Sequence, residues 1–210
     1  DFGYFGDKTQ WTWWGRSANG TQTRRGGLAN PGIRGMQQLA NASAALAALD
    51  AVKAKLPVDM QSVRRGLIEI ELAGRFQLVP GKPAVVLDVA HNPQAVATLA
   101  ANLGDMGFYA KTHAVVGMLA DKDIGGALAA LAGKVDHWHL ATLAVPRGAG
   151  AETLAQAIAG QGLGGTVGCH ADPLAAFAAA REAAGENDRI LAFGSFYTVA
   201  AVMRALKERP

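Results

Sequence analysis

The 210-residue sequence predicts an α/β fold, with a doubly wound, mostly parallel sheet over residues 74–210 and an incomplete domain tail over residues 1–73. Three observations carry this expectation. From residue 74 onward, short apolar runs alternate with Ala/Leu-rich helical stretches, the pattern of strands joined by crossover helices. Half of the residues are apolar and 18% are charged, enough apolar content for a buried core and too little charge for a disordered chain. The single cysteine excludes a disulfide framework and a Cys-based zinc cage, and fits a reducing cytoplasm.

Three of the four tryptophans lie in Trp11-Thr12-Trp13-Trp14, ahead of Ser17-Ala18-Asn19-Gly20. Aromatic and Thr positions alternating before an Asn-Gly pair predict an edge β-hairpin. From Gln38 to Lys55, residues Leu39, Ala42, Leu46, Leu49 and Val52 fall on one helical stripe. Pro57 ends that helix, and Asp59 caps a second one running to Leu72. One hairpin and two helices do not close a core, so residues 1–73 are expected to be the end of a domain that begins elsewhere. A chain starting at Asp1 fits a fragment.

Beyond Gly74, strands are expected at 84–90, 112–118, 135–141, 165–169 and 189–194. Helices are expected at 93–106, 122–133, 151–160, 172–185 and 196–208. Ala84-Val85-Val86-Leu87 is apolar without alternation, as in a strand covered on both faces. This is a Rossmann-like arrangement, and its ligands belong at the C-terminal ends of the strands.

Four such ends carry polar residues. The first reads Asp88-Val89-Ala90-His91-Asn92-Pro93, where Asn92 and Pro93 suit a helix start and Asp88 and His91 stand near its N-terminus. A capped helix with a chance Asp and His fits this hexapeptide as well as a binding site does. The second, Gly117-Met118-Leu119, runs into Asp121, Lys122 and Asp123, where acidic residues are ordinary complements of the helix dipole. The third leads to Arg147, suited either to a carboxylate or phosphate or to solvent. The last, Phe193-Gly194-Ser195-Phe196, presents an exposed hydroxyl at a helix start, for an anionic group or as a Ser cap.

Other chemistry finds less support. His137 and His139 share one strand face, but a third ligand is lacking, so they read as surface histidines and no metal site is assigned. Cys169 reads as a buried small residue. The Gly-rich pieces at 148–150 and 162–165 do not complete G-x-G-x-x-G, and no G-x-x-x-x-G-K-[ST] phosphate loop occurs. The net charge of +3 is scattered, which suits a small anionic ligand better than nucleic acid. Neither a membrane-spanning run nor a secretory signal is visible.

Gly74-Arg75-Phe76-Gln77, Asp88-Val89-Ala90-His91-Asn92-Pro93, Gly117-Met118-Leu119-Ala120-Asp121-Lys122-Asp123, Pro146-Arg147 and Gly194-Ser195-Phe196-Tyr197, with Gln38-Leu39-Ala40-Asn41-Ala42 upstream, together resemble bacterial folylpolyglutamate synthase/dihydrofolate synthase, a relative of the Mur ligases. The resemblance covers the whole chain but only about the last half of such an enzyme. It implies an ATP-dependent amide ligase. ATP phosphorylates a pterin-linked carboxylate, the amino group of L-glutamate attacks the acyl phosphate, and the amide forms as phosphate leaves. Residues 1–73 would be the tail of the P-loop ATPase domain, and residues 74–210 the C-terminal domain that closes over ATP.

By position, the resemblance places Arg75 on the ATP phosphates, Asp88 on the ribose hydroxyls, and Gln38 and Asn41 by the adenine. It places His91, as the catalytic residue, with Ser195 and Arg147 by the incoming glutamate, and Asp121, Lys122 and Asp123 near the same place. The Mg²⁺ ligands, the Gly-rich ATP loop and the folate loop would belong to the missing ATPase domain, leaving these 210 residues inactive alone and the complete enzyme monomeric and cytoplasmic. Gln37 and Ala120 depart from the His expected in many relatives. A short non-catalytic nucleotide- or amino-acid-binding module, or part of a cell-wall Mur ligase, are the alternatives. Whether dihydropteroate or folyl polyglutamates are extended is not legible from this half.

Overall fold

The computed structural model describes residues 1–7, 9–16, 20–33, 35 and 37–208. The chain divides into two compact units, Asp1–Leu72 and Ala73–Pro210.

In the first unit, β1 (Phe2–Gly6), β2 (Gln10–Arg16) and β3 (Gln22–Ala29) form an antiparallel sheet in the order β1-β2-β3. The sequence expects a hairpin here; β1 adds a strand, so β2 is central rather than at an edge. Residues 17–19 of the expected turn lie outside the described residues. On β2, Trp11 and Trp13 are buried while their neighbours are not, the period-two pattern of a strand with one covered face. Their indole N–H groups are satisfied, Trp11 donating to Ala29 O at 2.8 Å and Trp13 to Ser43 O at 3.0 Å.

Two helices follow, α1 (Gln38–Val52) and α2 (Met60–Glu69), the second capped as expected by Asp59, which accepts from the Ser62 N–H. Leu46 of α1 and Val63 of α2 complete a core with Trp11, Trp13 and Leu28. Leu39, Ala42 and Leu49 pack against it, but Val52 at the end of the expected stripe is 45% exposed. Pro31, Ala42, Leu46, Leu49, Val63 and Leu67 are among the residues lining an apolar groove of about 370 Å³.

The second unit is a six-stranded sheet of β4 (Gln77–Val79), β5 (Ala84–Asp88), β6 (Thr112–Val116), β7 (His137–Ala141), β8 (Thr166–His170) and β9 (Arg189–Phe193), in the order β4-β5-β9-β6-β7-β8. All neighbouring pairs are parallel except β4 with β5. The mostly parallel sheet is therefore as the sequence predicts, and β4 is the strand the apolar pattern misses. The helices are α3 (Pro93–Gly104), α4 (Ile124–Ala129), α5 (Ala151–Gly160), α6 (Pro173–Ala183) and α7 (Phe196–Lys207). The helix expected at 122–133 is thus reduced to six residues, Gly125 and Gly126 being poor helix formers at its start.

Both sheet faces are covered. Val86, Ala114, Val116, Leu140, Leu191 and Phe193 join apolar residues of α3, α4 and α5 on one side. Val85, Leu87, Val115, Ala141, Ile190 and Ala192 join those of α6 and α7 on the other. Strands β6 and β9 are buried at every residue, which explains the apolar runs 114–116 and 190–193 that end them. Each fully buried Val, Leu, Ile or Phe contributes about 1.5–3 kcal/mol, so this double layer fixes the strand order on which the polar ends depend. Among the described residues no helix is long and apolar enough to cross a membrane.

Candidate functional site

Because β5, β9, β6 and β7 are adjacent and parallel, their C-terminal ends lie side by side. Asp88 closes β5. Its Oδ2 accepts the Phe76 N–H at 2.9 Å and its Oδ1 the Ala90 N–H at 2.8 Å. The Val89 N–H donates to Gly74 O at 2.9 Å, so the segment carrying Arg75 is strapped to the end of β5. Phe76 holds φ at 44°, the left-handed region that costs a side-chain-bearing residue about 1–2 kcal/mol. The Asp88 bond and the burial of its ring hold it there. Burial is also the largest influence on the Asp88 carboxyl and pushes its pKa up, against the pull of the Ala90 and Phe76 N–H groups and the Arg75 charge.

The Arg75 guanidinium carbon lies 5.9 Å from the centre of the exposed Phe196 ring, a cation–π contact between the two strand ends. His91 places Nδ1 2.8 Å from Val89 O. A carbonyl only accepts, so Nδ1 carries the proton and Nε2 keeps a lone pair in the neutral ring. Asn92 does cap α3, accepting the Ala95 N–H at 2.9 Å with Pro93 in the first turn. The cap and the Asp88–His91 pair therefore occupy one turn together.

At the end of β9, Gly194 adopts φ 105° and donates its N–H to Ala90 O at 3.0 Å. That bond sets the residues preceding His91 and Ser195 against each other. Ser195 departs from expectation: it is 5% exposed rather than open. Its Oγ accepts the Thr198 N–H at 3.1 Å as the cap of α7 and lies 2.9 Å from Thr198 Oγ1. Thr198 Oγ1 in turn donates to Gly117 O at 2.8 Å, joining β9's end to β6's.

The ends of β6 and β7 are laced together by Ala149 N–H to Met118 O at 3.0 Å and Ala120 N–H to Arg147 O at 2.7 Å. Arg147 holds φ at 65°, and its Nη1 donates to Asp121 Oδ2 at 2.8 Å. Their side chains are 67% and 40% exposed, so the pair is worth at most about 1 kcal/mol. Asp123 caps α4 through the Gly126 N–H, and the Lys122 backbone N–H donates to Leu119 O. Gln38 and Asn41 belong to the first unit, one turn apart on α1 and joined by an Asn41 Nδ2 to Gln38 Oε1 bond of 3.2 Å; both line its apolar groove.

The second unit thus gathers Arg75, Asp88, His91 and Ser195 about the ends of β5 and β9, with Arg147, Asp121, Lys122 and Asp123 along the ends of β6 and β7. As a Mg²⁺ cage the set does not fit. Asp88 binds two backbone N–H groups, Asp121 holds Arg147, and Asp123 is a cap. Among the described residues no three His, Cys, Asp or Glu side chains converge on one point. Sequence reasoning missed Thr198 and the Phe196–Arg75 contact. The Ser-x-x-Thr spacing, which puts Thr198 at the third helical position, was the available signal.

Two sequence expectations away from these strand ends are overturned. His139 is not a surface histidine: it is 9% exposed and stacks with His113 and His170, each at 5.6 Å, while His113 stacks with His137 at 4.5 Å. Burial, then the neighbouring imidazoles, lower the His139 pKa to about 4. Cys169 is exposed, because β8 is an edge strand. Partial burial first, then the Glu152 charge, raise its thiol pKa, which does not favour a reactive thiolate.

The Mur ligase glutamate ligase domain model matches residues 74–196. Over 170 residues the chain is 42% identical to the Escherichia coli dihydrofolate synthase/folylpolyglutamate synthase, covering 80% of this chain and 38% of that protein. Among solved structures, E. coli FolC in complex with DHPP and ADP superposes with a TM-score of 0.81 at 36% identity, over 98% of this chain and 46% of that one. A bifunctional folylpolyglutamate synthase/dihydrofolate synthase with Mn, AMPPNP and L-glutamate bound gives 0.80 at 38%, over 97% and 46%. The chain therefore spans less than half the length of these relatives.

Proposed function

Because the chain belongs to the Mur ligase family through the glutamate ligase domain matched at residues 74–196, we propose that it is the glutamate-positioning part of an ATP-dependent ligase that adds L-glutamate to dihydropteroate or folyl polyglutamates. The observation that carries this reading is the strapping of Arg75, Asp88, His91 and Ser195 around two adjacent strand ends by the Asp88–Phe76, Val89–Gly74 and Gly194–Ala90 bonds. The relatives solved with a nucleotide, a pterin or L-glutamate support the substrate classes.

The reaction joins an acyl phosphate to an amine. The amine lone pair attacks the acyl carbon, the carbon–oxygen bond to phosphate breaks with its electron pair on oxygen, and the nitrogen gives up a proton. Arg75 supplies positive charge for the phosphates. Asp88 keeps lone pairs beyond its two backbone bonds for ribose hydroxyls. His91, with its Nδ1 proton committed to Val89 O, offers Nε2 to the proton leaving the amine. Arg147 reaches a glutamate carboxylate only by leaving Asp121. Gln38 and Asn41 are the adenine-side candidates. The phosphate loop and metal ligands of the cycle are assigned to sequence outside these 210 residues, so the chain alone makes no amide.

Titrating the chain with L-glutamate should shift the backbone amide resonances of Ala90, His91, Gly194 and Ser195, and mixing it with ATP, dihydropteroate and glutamate should release no phosphate. Unmoved amides at millimolar glutamate, or glutamate-dependent phosphate release by the chain alone, would overturn the reading.

A further inference from the structure

The two arginines at the strand ends of the second unit are held by different groups. Arg147 gives Nη1 to Asp121 Oδ2 at 2.8 Å, so an incoming anion must displace a carboxylate. Arg75 is exposed and, among the described residues, pairs with no carboxylate. Asp88, on the same turn, directs its oxygens to the Phe76 and Ala90 N–H groups instead. Gly74 accepts the Val89 N–H at 2.9 Å and gives its own N–H to Gln77 Oε1 at 3.0 Å. Both chain neighbours of Arg75 are thereby pinned beside the end of β5, and its side chain is the part left free. The guanidinium carbon lies 5.9 Å from the centre of the Phe196 ring. Phe196 is 62% exposed and belongs to neither apolar layer of the second unit, so core packing does not account for a large apolar side chain there. Its place is set by the start of α7, where the Gly194 N–H binds Ala90 O at 3.0 Å and Ser195 Oγ takes the Thr198 N–H at 3.1 Å.

We propose that Phe196 is a positioning residue for Arg75, its ring holding the guanidinium by cation–π attraction and leaving all five N–H donors free for phosphate oxygens. The proposal rests on the reading of Arg75 as the cation for the phosphates and names what aims it. A carboxylate would aim the same side chain only by taking N–H donors and offsetting its charge, and a phosphate needs both. An aromatic face takes neither. Ordering the long side chain before the anion arrives also lowers the entropy lost on binding.

The test titrates the chain with inorganic tripolyphosphate, a probe for phosphate oxygens, and separately with L-glutamate, following the Arg75 Nε–Hε and backbone amide resonances. Without ligand, the Arg75 side-chain protons should show nuclear Overhauser contacts to the Phe196 ring. Phe196→Leu should lower the ratio of tripolyphosphate to L-glutamate affinity about two- to fivefold, the scale of a cation–π contact at an exposed site. Phe196→Tyr and Phe196→Trp should restore the ratio, and in an Arg75→Ala chain Phe196→Leu should lower it no further. A purely structural Phe196 would disturb the start of α7 and weaken both ligands alike, and that unchanged ratio would overturn the proposal. An equal fall in the Arg75→Ala background would overturn it too. If tripolyphosphate leaves the wild-type Arg75 resonance unmoved, the phosphate role of Arg75 and the proposal fall together, while glutamate binding still decides the glutamate-positioning reading. If L-glutamate does not bind, that reading falls and the tripolyphosphate affinities alone decide the proposal.

Discussion

Acidification from about pH 7.5 to about pH 4 should load a proton onto a sheet face built to exclude it. His113 on β6, His137 and His139 on β7 and His170 on β8 stand in contact on the face covered by α6. The other charged groups near this row are Asp188, 3.4 Å from His113 Nε2, and Lys111. On α6, Arg181 and Glu182 are exposed. His139 falls from an ordinary 6.5 to about 4. The unfolded chain therefore binds the proton first, and the stability this histidine contributes is complete above pH 6.5 and is lost as pH falls toward 4. At 1.36 kcal/mol per tenfold change in proton affinity, about 1 kcal/mol is gone near pH 5.5 and about 3 kcal/mol near pH 4. His113, also held below its ordinary value by burial, adds to the loss in the same direction. Urea unfolding followed through the methyl resonances of Val115 and Ile190, buried on this face, measures it. His139→Gln should remove more than half of the acid-dependent loss; an unchanged pH slope in that variant would refute the reasoning.

Three further outcomes follow from the strand ends and the first unit. Asp88→Ala leaves the Phe76 and Ala90 N–H groups without their acceptor and should cost about 2–4 kcal/mol in urea unfolding. Gly194→Ala forces a side chain to φ 105° and sets its Cβ 2.8 Å from Gly117 O and Met118 Cγ, so a loss of about 3 kcal/mol and a lowered melting temperature are expected. Trp13→Phe removes the indole bond to Ser43 O and part of the volume in the first unit's core, with an expected loss of about 1–3 kcal/mol by the same assay.

The parallel sheet was legible because apolar runs such as 85–87, 114–116 and 190–193 are buried on both faces, and because Asn92 and Ser195 mark helix starts with the residue types that accept a backbone N–H. β4 was not legible. It has three residues and exists through its antiparallel pairing with β5, which local pattern does not encode. The histidine row was hidden for the same kind of reason: His113, His137, His139 and His170 meet only once β6, β7 and β8 are placed side by side. At the candidate site, residue types at the strand ends were readable one by one. What was not readable was which polar atoms the fold had already committed: of the two readings of Ser195, an exposed hydroxyl or a cap, the cap holds and the hydroxyl is buried, and Asp123 caps α4.

The central claim is that this chain positions glutamate for a ligase whose phosphate chemistry lies in other sequence. It is tested most directly by joining the chain to the part of the E. coli relative that it does not match, with the relative's own segment rejoined in the same way as a control. The account expects phosphate release that requires ATP, dihydropteroate and L-glutamate together, and that falls at least about tenfold on His91→Ala. A folded chimera that binds ATP as the control does, yet shows no glutamate-dependent release, would contradict it.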